Sequence, residues 1–245
     1  MKAAAAFIAS IAPALAGTID DSLPDSVYLA YGQQFAPFTR RVEVVGVDGK
    51  LAIGSGCVIG DRWVLTAAHV VDNAVTISVS GNPVVTYWQH QDWESDRVGY
   101  NDIAALYCKA DFSLDYYPPL ATSGDTVGAT VTLAGYGVTG RMAGGYTRSD
   151  GLLRAGTNTI AGLERTLIVC GINSGSSPRE YGIAPGDSGG PLFVGAGSEA
   201  RLAGIHSFTM RAGTGPLRSR NGEESAHTRV SLFVRWIDRV RGMVR

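Results

Sequence analysis

The chain has 245 residues, room for one large domain or two small ones sharing an interface. Hydrophobic residues make up 45% and charged ones 18%, a balance that suits a packed core and excludes a charge-rich disordered chain. A formal net charge of −1 gives no electrostatic footing for nucleic acid or an anionic membrane.

The 32 glycines favour many short strands joined by tight turns. At the start, Lys2 precedes a run of small and apolar residues, Ala3 to Ala16, and Ala14-Leu15-Ala16 fits the small-x-small pattern of a secretory cleavage site. The run is too short to span a bilayer comfortably, and no later stretch is longer and equally apolar. A signal peptide over 1–16 is therefore expected, with a mature start near Gly17 and a secreted or periplasmic protein without a membrane span.

Residues 17–26 are polar and acidic (Asp20, Asp21, Asp25) and read as a leader or linker. Val27-Tyr28-Leu29-Ala30-Tyr31 reads as a short strand. Arg41 to Val45 begins a clearer one, and Val47-Asp48-Gly49-Lys50 is a hairpin signal with Leu51 to Ile59 returning. Arg62 to Thr66 is a strand ending in Ala67-Ala68-His69. Ala74–Ser80 and Val84–His90 alternate as strands around the turn Gly81-Asn82-Pro83. Ile103 to Cys108 is a buried apolar run, and Pro118, Pro119 and Thr122 to Thr126 mark a boundary.

Beyond that boundary, strands are expected over 129–136, 165–170, 191–195, 201–208 and 226–230. Helical periodicity is confined to the end. Phe233, Ile237, Val240 and Val244 form one stripe, Ser231 is placed to cap it, and four arginines lie mostly off it. Many short strands with one terminal helix predict an all-β barrel or sandwich.

Cys57, Cys108 and Cys170 are an odd set in apolar surroundings, so they read as small buried hydrophobes. No metal-ligand spacing links them to the four histidines, and neither a metal nor a cofactor is expected.

Gly186-Asp187-Ser188-Gly189-Gly190-Pro191 places a serine among glycines just before the apolar Leu192-Phe193-Val194. Glycine permits the sharp turn that exposes a hydroxyl and aims backbone N–H groups at one point. Such donors, here Gly186 and Ser188, suit an oxyanion. A nucleophilic serine needs a base, and His69 ends a strand on a floor of two alanines. The base needs an orienting carboxylate, and Asp102 directly precedes an apolar strand, where a carboxylate is costly unless paired.

Three blocks, Leu65-Thr66-Ala67-Ala68-His69, Asn101-Asp102-Ile103-Ala104 and Gly186 to Pro191, stand in the order and rough spacing of the chymotrypsin/trypsin-like serine proteases, which the chain resembles over about residues 27–245. Gly60-Asp61-Arg62-Trp63-Val64, Gly204-Ile205-His206-Ser207-Phe208 and Thr228-Arg229-Val230 extend the likeness, and Ala155-Gly156-Thr157-Asn158 has counterparts in secreted bacterial members.

The resemblance implies two six-stranded antiparallel β-barrels, over about 27–120 and 125–230, followed by a C-terminal helix over about 231–245. It implies a serine endopeptidase acting through an acyl-enzyme, with His69 as base, Asp102 orienting it, Ser188 as nucleophile, and Gly186 and Ser188 as the oxyanion hole. Protein or peptide substrates of a monomer are expected, with Ser207, Phe208 and Thr209 pairing with substrate backbone. Gly182, six residues before Ser188, falls where trypsin-like members carry an aspartate, so cleavage after Lys or Arg is not expected. His206 falls where glutamate-cleaving relatives carry a histidine, with Thr209, Arg179 and Arg211 as further candidates; Glu or an apolar residue is the expected preference.

The likeness has departures. Val70 stands where the family usually has a disulfide-bonded cysteine. Many members begin with a freed Ile-Val-Gly-Gly whose amino group pairs with the aspartate before the serine. That tetrad is missing, and by distance from His69 its place falls near Val27, so activation by cleavage near Ser26-Val27 is the expectation. Two other classes compete. An α/β-hydrolase-type esterase would use Gly186-x-Ser188-x-Gly190 as its elbow, but orders its residues serine, acid, histidine. A non-catalytic protease-like binding module would normally have lost one of the three residues.

Overall fold

The computed structural model describes residues 17–97, 99–148, 150–212 and 214–244; the expected signal segment, 1–16, lies outside them. The first half begins with β1 (Thr18–Ile19), α1 (Asp25–Gln33), β2 (Thr39–Gly46), β3 (Leu51–Gly60), β4 (Trp63–Thr66), β5 (Ala74–Val79), β6 (Asn82–Gln89) and β7 (Ala104–Cys108). The second half contains β8 (Thr130–Gly135), β9 (Thr139–Arg141), β10 (Gly145–Arg148), β11 (Arg154–Glu164), β12 (Leu167–Ile172), β13 (Tyr181–Gly182), β14 (Pro191–Val194), β15 (Arg201–Met210), β16 (Glu223–Arg229) and α2 (Val234–Arg241).

Two closed six-stranded barrels result, in the orders β2-β3-β4-β7-β6-β5 and β11-β12-β16-β15-β14-β8, as expected for the all-β architecture. All ladders within them are antiparallel. That arrangement excludes the parallel sheet of an α/β-hydrolase. No helix among the described residues is long and apolar enough to cross a membrane.

Alternation builds the barrels. Val42 and Val44 of β2 point inward, and the hairpin after them turns on Gly49, at φ +76°, with Lys50 N–H donating to Asp48 Oδ1 (3.1 Å). One apolar core fills each barrel. A third lies between them, where Leu65 and Ala105 of the first meet Phe193, Leu202 and Ile205 of the second and Trp236 and Ile237 of α2. The three cysteines are buried and free, with burial pushing their thiols up, as the apolar neighbourhoods implied.

Three expectations are corrected. Residues 27–31 are helical, inside α1. Pro24 precedes its first turn, which carries Asp25, and Tyr28 and Gly32 face inward one turn apart. A Cβ on Gly32 would lie 2.8 Å from Leu153 O, so glycine lets this helix lie directly on the backbone entering β11. Residues 17–26 do not hang as a linker: Thr18 and Ile19 form a strand and are buried. Ser231 caps no helix. Its hydroxyl donates to Asp125 Oδ2 (2.8 Å), a single turn over Val230–Leu232 intervenes, and α2 has no side-chain cap. The apolar stripe itself packs as expected, with Phe233, Ile237 and Val240 buried.

Candidate active site

β4 pairs antiparallel with β7, Thr66 opposite Ala104. His69, just past the end of β4, and Asp102, just before β7, therefore emerge at the same barrel end. Ala67 and Ala68 are fully buried, and their small side chains let the chain turn tightly into the short helical turn holding His69. Asn101 takes a left-handed φ of +52°, which turns the chain into Asp102.

The Asp102 carboxylate, buried, receives His69 twice: the backbone N–H at Oδ1 (2.9 Å) and Nδ1 at Oδ2 (2.7 Å). Ser207 Oγ donates to the same Oδ2. Burial opposes both charged forms, but the mutual attraction outweighs it. Asp102 stays below the ordinary carboxylate range and His69 rises above the ordinary imidazole value. With Nδ1 held by the carboxylate, a neutral ring keeps its proton there and leaves Nε2 as an acceptor.

Ser188 lies on a tight loop ahead of β14. Asp187 N–H donates to Ala184 O (2.9 Å) and Gly190 N–H to Asp187 O (2.8 Å), with Gly186 and Gly189 at φ +94° and +84°. The first barrel grips this loop. Ser55 N–H donates to Ser188 O (2.8 Å) and Ser55 Oγ to Gly186 O (2.9 Å), while Thr66 Oγ1 holds Ser55 O (2.8 Å). A Cβ on Gly189 would overlap Thr66 Oγ1 and lie 2.9 Å from Ala67 N, so the serine loop touches the strand end that carries His69.

Hydrogen bonds among the described residues include none between Ser188 Oγ and His69 Nε2. Such contacts are long in substrate-free sites and tighten when substrate arrives. The N–H groups of Gly186 and Ser188 are engaged by no acceptor among the described residues.

The residues expected to read the substrate lie on β13 and β15. Phe208 of β15 lies over Gly99, where a Cβ would strike its ring. Thr209 faces Ser225 across the β15–β16 ladder. Gly182 is buried in β13, and a Cβ there would meet Thr18 Oγ1 at 2.8 Å and Ile172 Cγ2 at 2.9 Å, so this position offers no side-chain charge. His206 is fully buried, its Nδ1 2.9 Å from His227 Nδ1, and among the described residues its Nε2 meets no acceptor in full hydrogen-bond geometry, with the Ala134 main chain beside the ring. Burial pushes His206 well below the imidazole range and His227 down to about 3. Arg179 and Arg211 are otherwise engaged: Arg179 stacks over Tyr31 (4.2 Å) and Arg211 turns to Glu223 (3.8 Å) and Thr214 O.

Asp187 is fully buried. Its carboxylate takes the N–H groups of Gly137 (2.7 Å) and Ala184 (2.9 Å), the Tyr181 hydroxyl (3.2 Å) and the Gly17 nitrogen (3.0 Å). Val27, the expected place of the activating cut, is inside α1 with its N–H bonded to Pro24 O (3.1 Å), and the backbone nitrogen that reaches Asp187 is that of Gly17. Sequence reasoning placed the mature start near Gly17 without linking that residue to Asp187, and it passed over Ser55 and Tyr181, for which no signal was present.

Comparison with known proteins agrees with this geometry. The family described as Trypsin matches residues 33–237. The chain is similar to serine protease SP24D of Anopheles gambiae, 27% identical over 80% of this chain and 74% of that protein. Serine protease 1 of Drosophila melanogaster is 30% identical over 74% of this chain and 73% of its own length, and a collagenase of Hypoderma lineatum is 25% identical over 89% and 86%. Among solved structures, a collagenase described as HL collagenase superposes with a TM-score of 0.66 at 19% identity, covering 85% of this chain and 95% of that one. Neuropsin, a serine protease from mouse brain, superposes with the same score at 18% identity, covering 91% and 98%.

Proposed function

The chain belongs to the trypsin family and is a serine-type endopeptidase, and on that premise we propose that it works through His69, Asp102 and Ser188. The observation that carries this reading is the double hold of Asp102 on His69, at Nδ1 and at the backbone N–H, beside the loop that presents Ser188. His69 Nε2 takes the Ser188 proton as Oγ attacks the scissile carbonyl. The resulting imidazolium is stabilised by Asp102, and the oxyanion is met by the free N–H groups of Gly186 and Ser188. His69 then protonates the leaving amine, and water, activated by the same ring, releases the acyl-enzyme.

We further propose that the substrate residue before the cut is uncharged and apolar. Gly182 supplies no carboxylate for Lys or Arg, and the two candidate arginines are held by Tyr31, Glu223 and Thr214. One observation favours glutamate instead: the Nε2 of the buried His206 lacks a well-formed hydrogen bond among the described residues. The substrate backbone would run along Ser207, Phe208 and Thr209 as an added strand. The cleavage pattern at Ala14-Leu15-Ala16 supports action outside the cytoplasm.

The test is fluorophosphonate labelling and peptide-library digestion by the purified protein beside Ser188→Ala. Loss of label and of cleavage in the variant is expected. Proteolysis surviving Ser188→Ala would overturn the assignment, and cleavage confined to glutamate would replace the apolar preference.

A further inference from the structure

Along β3, Cys57 and Ile59 face the core between the barrels and Val58 faces that of the first. Alternation therefore turns Ser55, in step with Cys57, toward the second barrel. Ser55 is fully buried, and each of its polar groups is bonded. Its N–H donates to Ser188 O (2.8 Å), and its carbonyl accepts Thr66 Oγ1 (2.8 Å). Its hydroxyl accepts Tyr136 N–H (3.1 Å) and donates to Gly186 O (2.9 Å).

We infer that Ser55 is a positioning residue for the reaction: its hydroxyl fixes the peptide unit between the two oxyanion donors and so sets their convergence. The inference rests on the protease reading above and adds a residue that reading does not use.

Four successive peptide units run through the loop, from Pro185–Gly186 to Ser188–Gly189. A trans peptide points its N–H away from its carbonyl, so whatever holds the oxygen also aims the nitrogen. Pro185 O is held by Val138 N–H (2.7 Å) and Asp187 O by Gly190 N–H (2.8 Å). The N–H groups of those two units, on Gly186 and Ser188, are the pair that would meet the oxyanion. The unit Gly186–Asp187 lies between them. Its N–H donates to Ala184 O (2.9 Å), and its oxygen is met by a side chain, the Ser55 hydroxyl. Gly186, at φ +94° and without a Cβ, resists rotation of this unit weakly, so the hydroxyl supplies the restraint.

A hydroxyl proton rotates to suit its surroundings. Here Tyr136 N–H occupies an acceptor site on Oγ and leaves the proton for Gly186 O. The next residue, Gly137, donates to Asp187 Oδ1 (2.7 Å), so the segment that follows β8 orders the hydroxyl and the aspartate together. The hold also crosses the barrels. β3 pairs with β4, and Thr66, which grips Ser55 O, stands three residues before His69. The strand pair that delivers the base thus also holds the loop that carries the nucleophile and its donors. A Cβ on Gly54 would lie 3.1 Å from Ser188 O, so the strand runs directly against that loop.

The experiment compares the wild type with Ser55→Ala, Ser55→Cys and Ser55→Thr. Ser55→Ala keeps the main-chain bond to Ser188 O and removes only the hydroxyl. Three readouts are kcat and KM on a peptide found by library digestion, the pH inflection of kcat/KM, and binding of that peptide's boronic acid. The boronate forms a tetrahedral adduct on Ser188 and places an oxygen against the two N–H groups. In Ser55→Ala, kcat should fall about 10- to 100-fold, less than the roughly 10²- to 10³-fold cost of deleting an oxyanion donor. Boronate binding should weaken by the same factor, while KM and the inflection set by His69 and Asp102 stay unchanged. Ser55→Cys, which fills the same space with a weaker donor, should lose an intermediate amount, and Ser55→Thr, which keeps the hydroxyl, should recover most of the loss. Partial unfolding would lower the fraction of enzyme that titrates with boronate, but not the affinity of the remainder.

Wild-type kcat and boronate affinity in Ser55→Ala, with both lost in Ser188→Ala, overturn this inference and leave the protease reading intact. A loss confined to KM overturns it, as does a Ser55→Thr enzyme as impaired as Ser55→Ala. A wild-type protein that neither cleaves peptides nor takes the boronate overturns the protease reading, and this inference with it.

Discussion

Thr228 Oγ1, on the last strand of the second barrel, donates to the main-chain oxygen of Asp102 in the first (2.8 Å), while Ser207 Oγ, on the neighbouring strand, donates to the Asp102 carboxylate. The carboxylate that orients His69 is thus held from across the barrel interface. Ser207→Ala removes a donor to a buried charge, typically worth 1.5–3 kcal/mol. Turnover should fall about 10-fold or more, mainly in kcat, and Asp102→Asn should cost roughly 10⁴-fold through the wrong tautomer. Steady-state kinetics on one peptide would check both; a Ser207→Ala variant with unchanged kcat would remove this role.

The pH profile follows from the same pair. Asp102 outweighs the burial of His69, so the ring titrates above the ordinary imidazole value. The base is competent only when neutral. kcat/KM should therefore rise with pH through an apparent pKa above that of a free histidine, and fall on the acid side. Asp102→Asn removes the attraction and should shift the inflection downward. A pH–rate profile of both enzymes is the measurement.

Arg154 is fully buried between Asp25 (2.6 Å) and Asp150 (2.6 Å), joining α1 to β11. Arg154→Met leaves the two partly exposed carboxylates with only the exposed Arg148, which reaches Asp25 (3.0 Å) and Asp150 (3.8 Å). Breaking a buried pair from one side typically costs about 3–5 kcal/mol. Because the carboxylates left behind are partly exposed and keep Arg148, urea unfolding should register a loss toward the low end of that range. Arg154→Lys should rescue little, because an ammonium cannot fork between two carboxylates.

The barrels were legible because their signals are local. Val42 and Val44 alternate, Asp48-Gly49 turns, and the apolar runs of β4 and β7 state their own burial. The three site blocks were legible as words of a family. The N-terminal segment was not. Val27 to Tyr31 has strand-forming residues, yet Pro24-Asp25 starts a helix whose stability comes from Arg154, far along the chain. Thr18 and Ile19 are too few to show a period, and they become a strand only because β9 and β13 supply the edges. The arginines beside the specificity residues looked like substrate contacts; only the fold reveals that Tyr31 and Glu223 occupy them.

Gly189 tests how closely the two barrels must approach. Its φ is +84°, and a Cβ would overlap Thr66 Oγ1 and lie 2.9 Å from Ala67 N. Gly189→Ala should displace the serine loop, and a misplacement near 1 Å costs about 100-fold in turnover. Gly49 is the control: its φ is +76°, but nothing lies within 4 Å of its Cβ position. Gly49→Ala should cost only about 1–2 kcal/mol of stability and leave turnover unchanged. Equal turnover in the two variants would contradict the close-contact account.

The buried His206–His227 pair predicts acid sensitivity of a definite sign. Burial holds both rings neutral, His227 down to about 3 and His206 well below the ordinary value. In the unfolded chain both take up protons near pH 6.5. Their contribution to stability is complete above that pH and is lost as pH falls from there toward the folded values. Two protons bound only by the unfolded state give a slope of about 2.7 kcal/mol per pH unit. His90, also lowered by burial and packed against Phe233 and Trp236, adds a smaller part. Between pH 6 and 4.5 most carboxylates remain charged, but Asp187, raised to about 6 by burial, takes up a proton in the folded chain there and offsets up to about half of the histidine slope. Urea unfolding across that window should show the remaining slope in the wild-type chain, and His206→Val combined with His227→Leu should remove it. A double variant as acid-sensitive as the wild type would place the missing protons elsewhere.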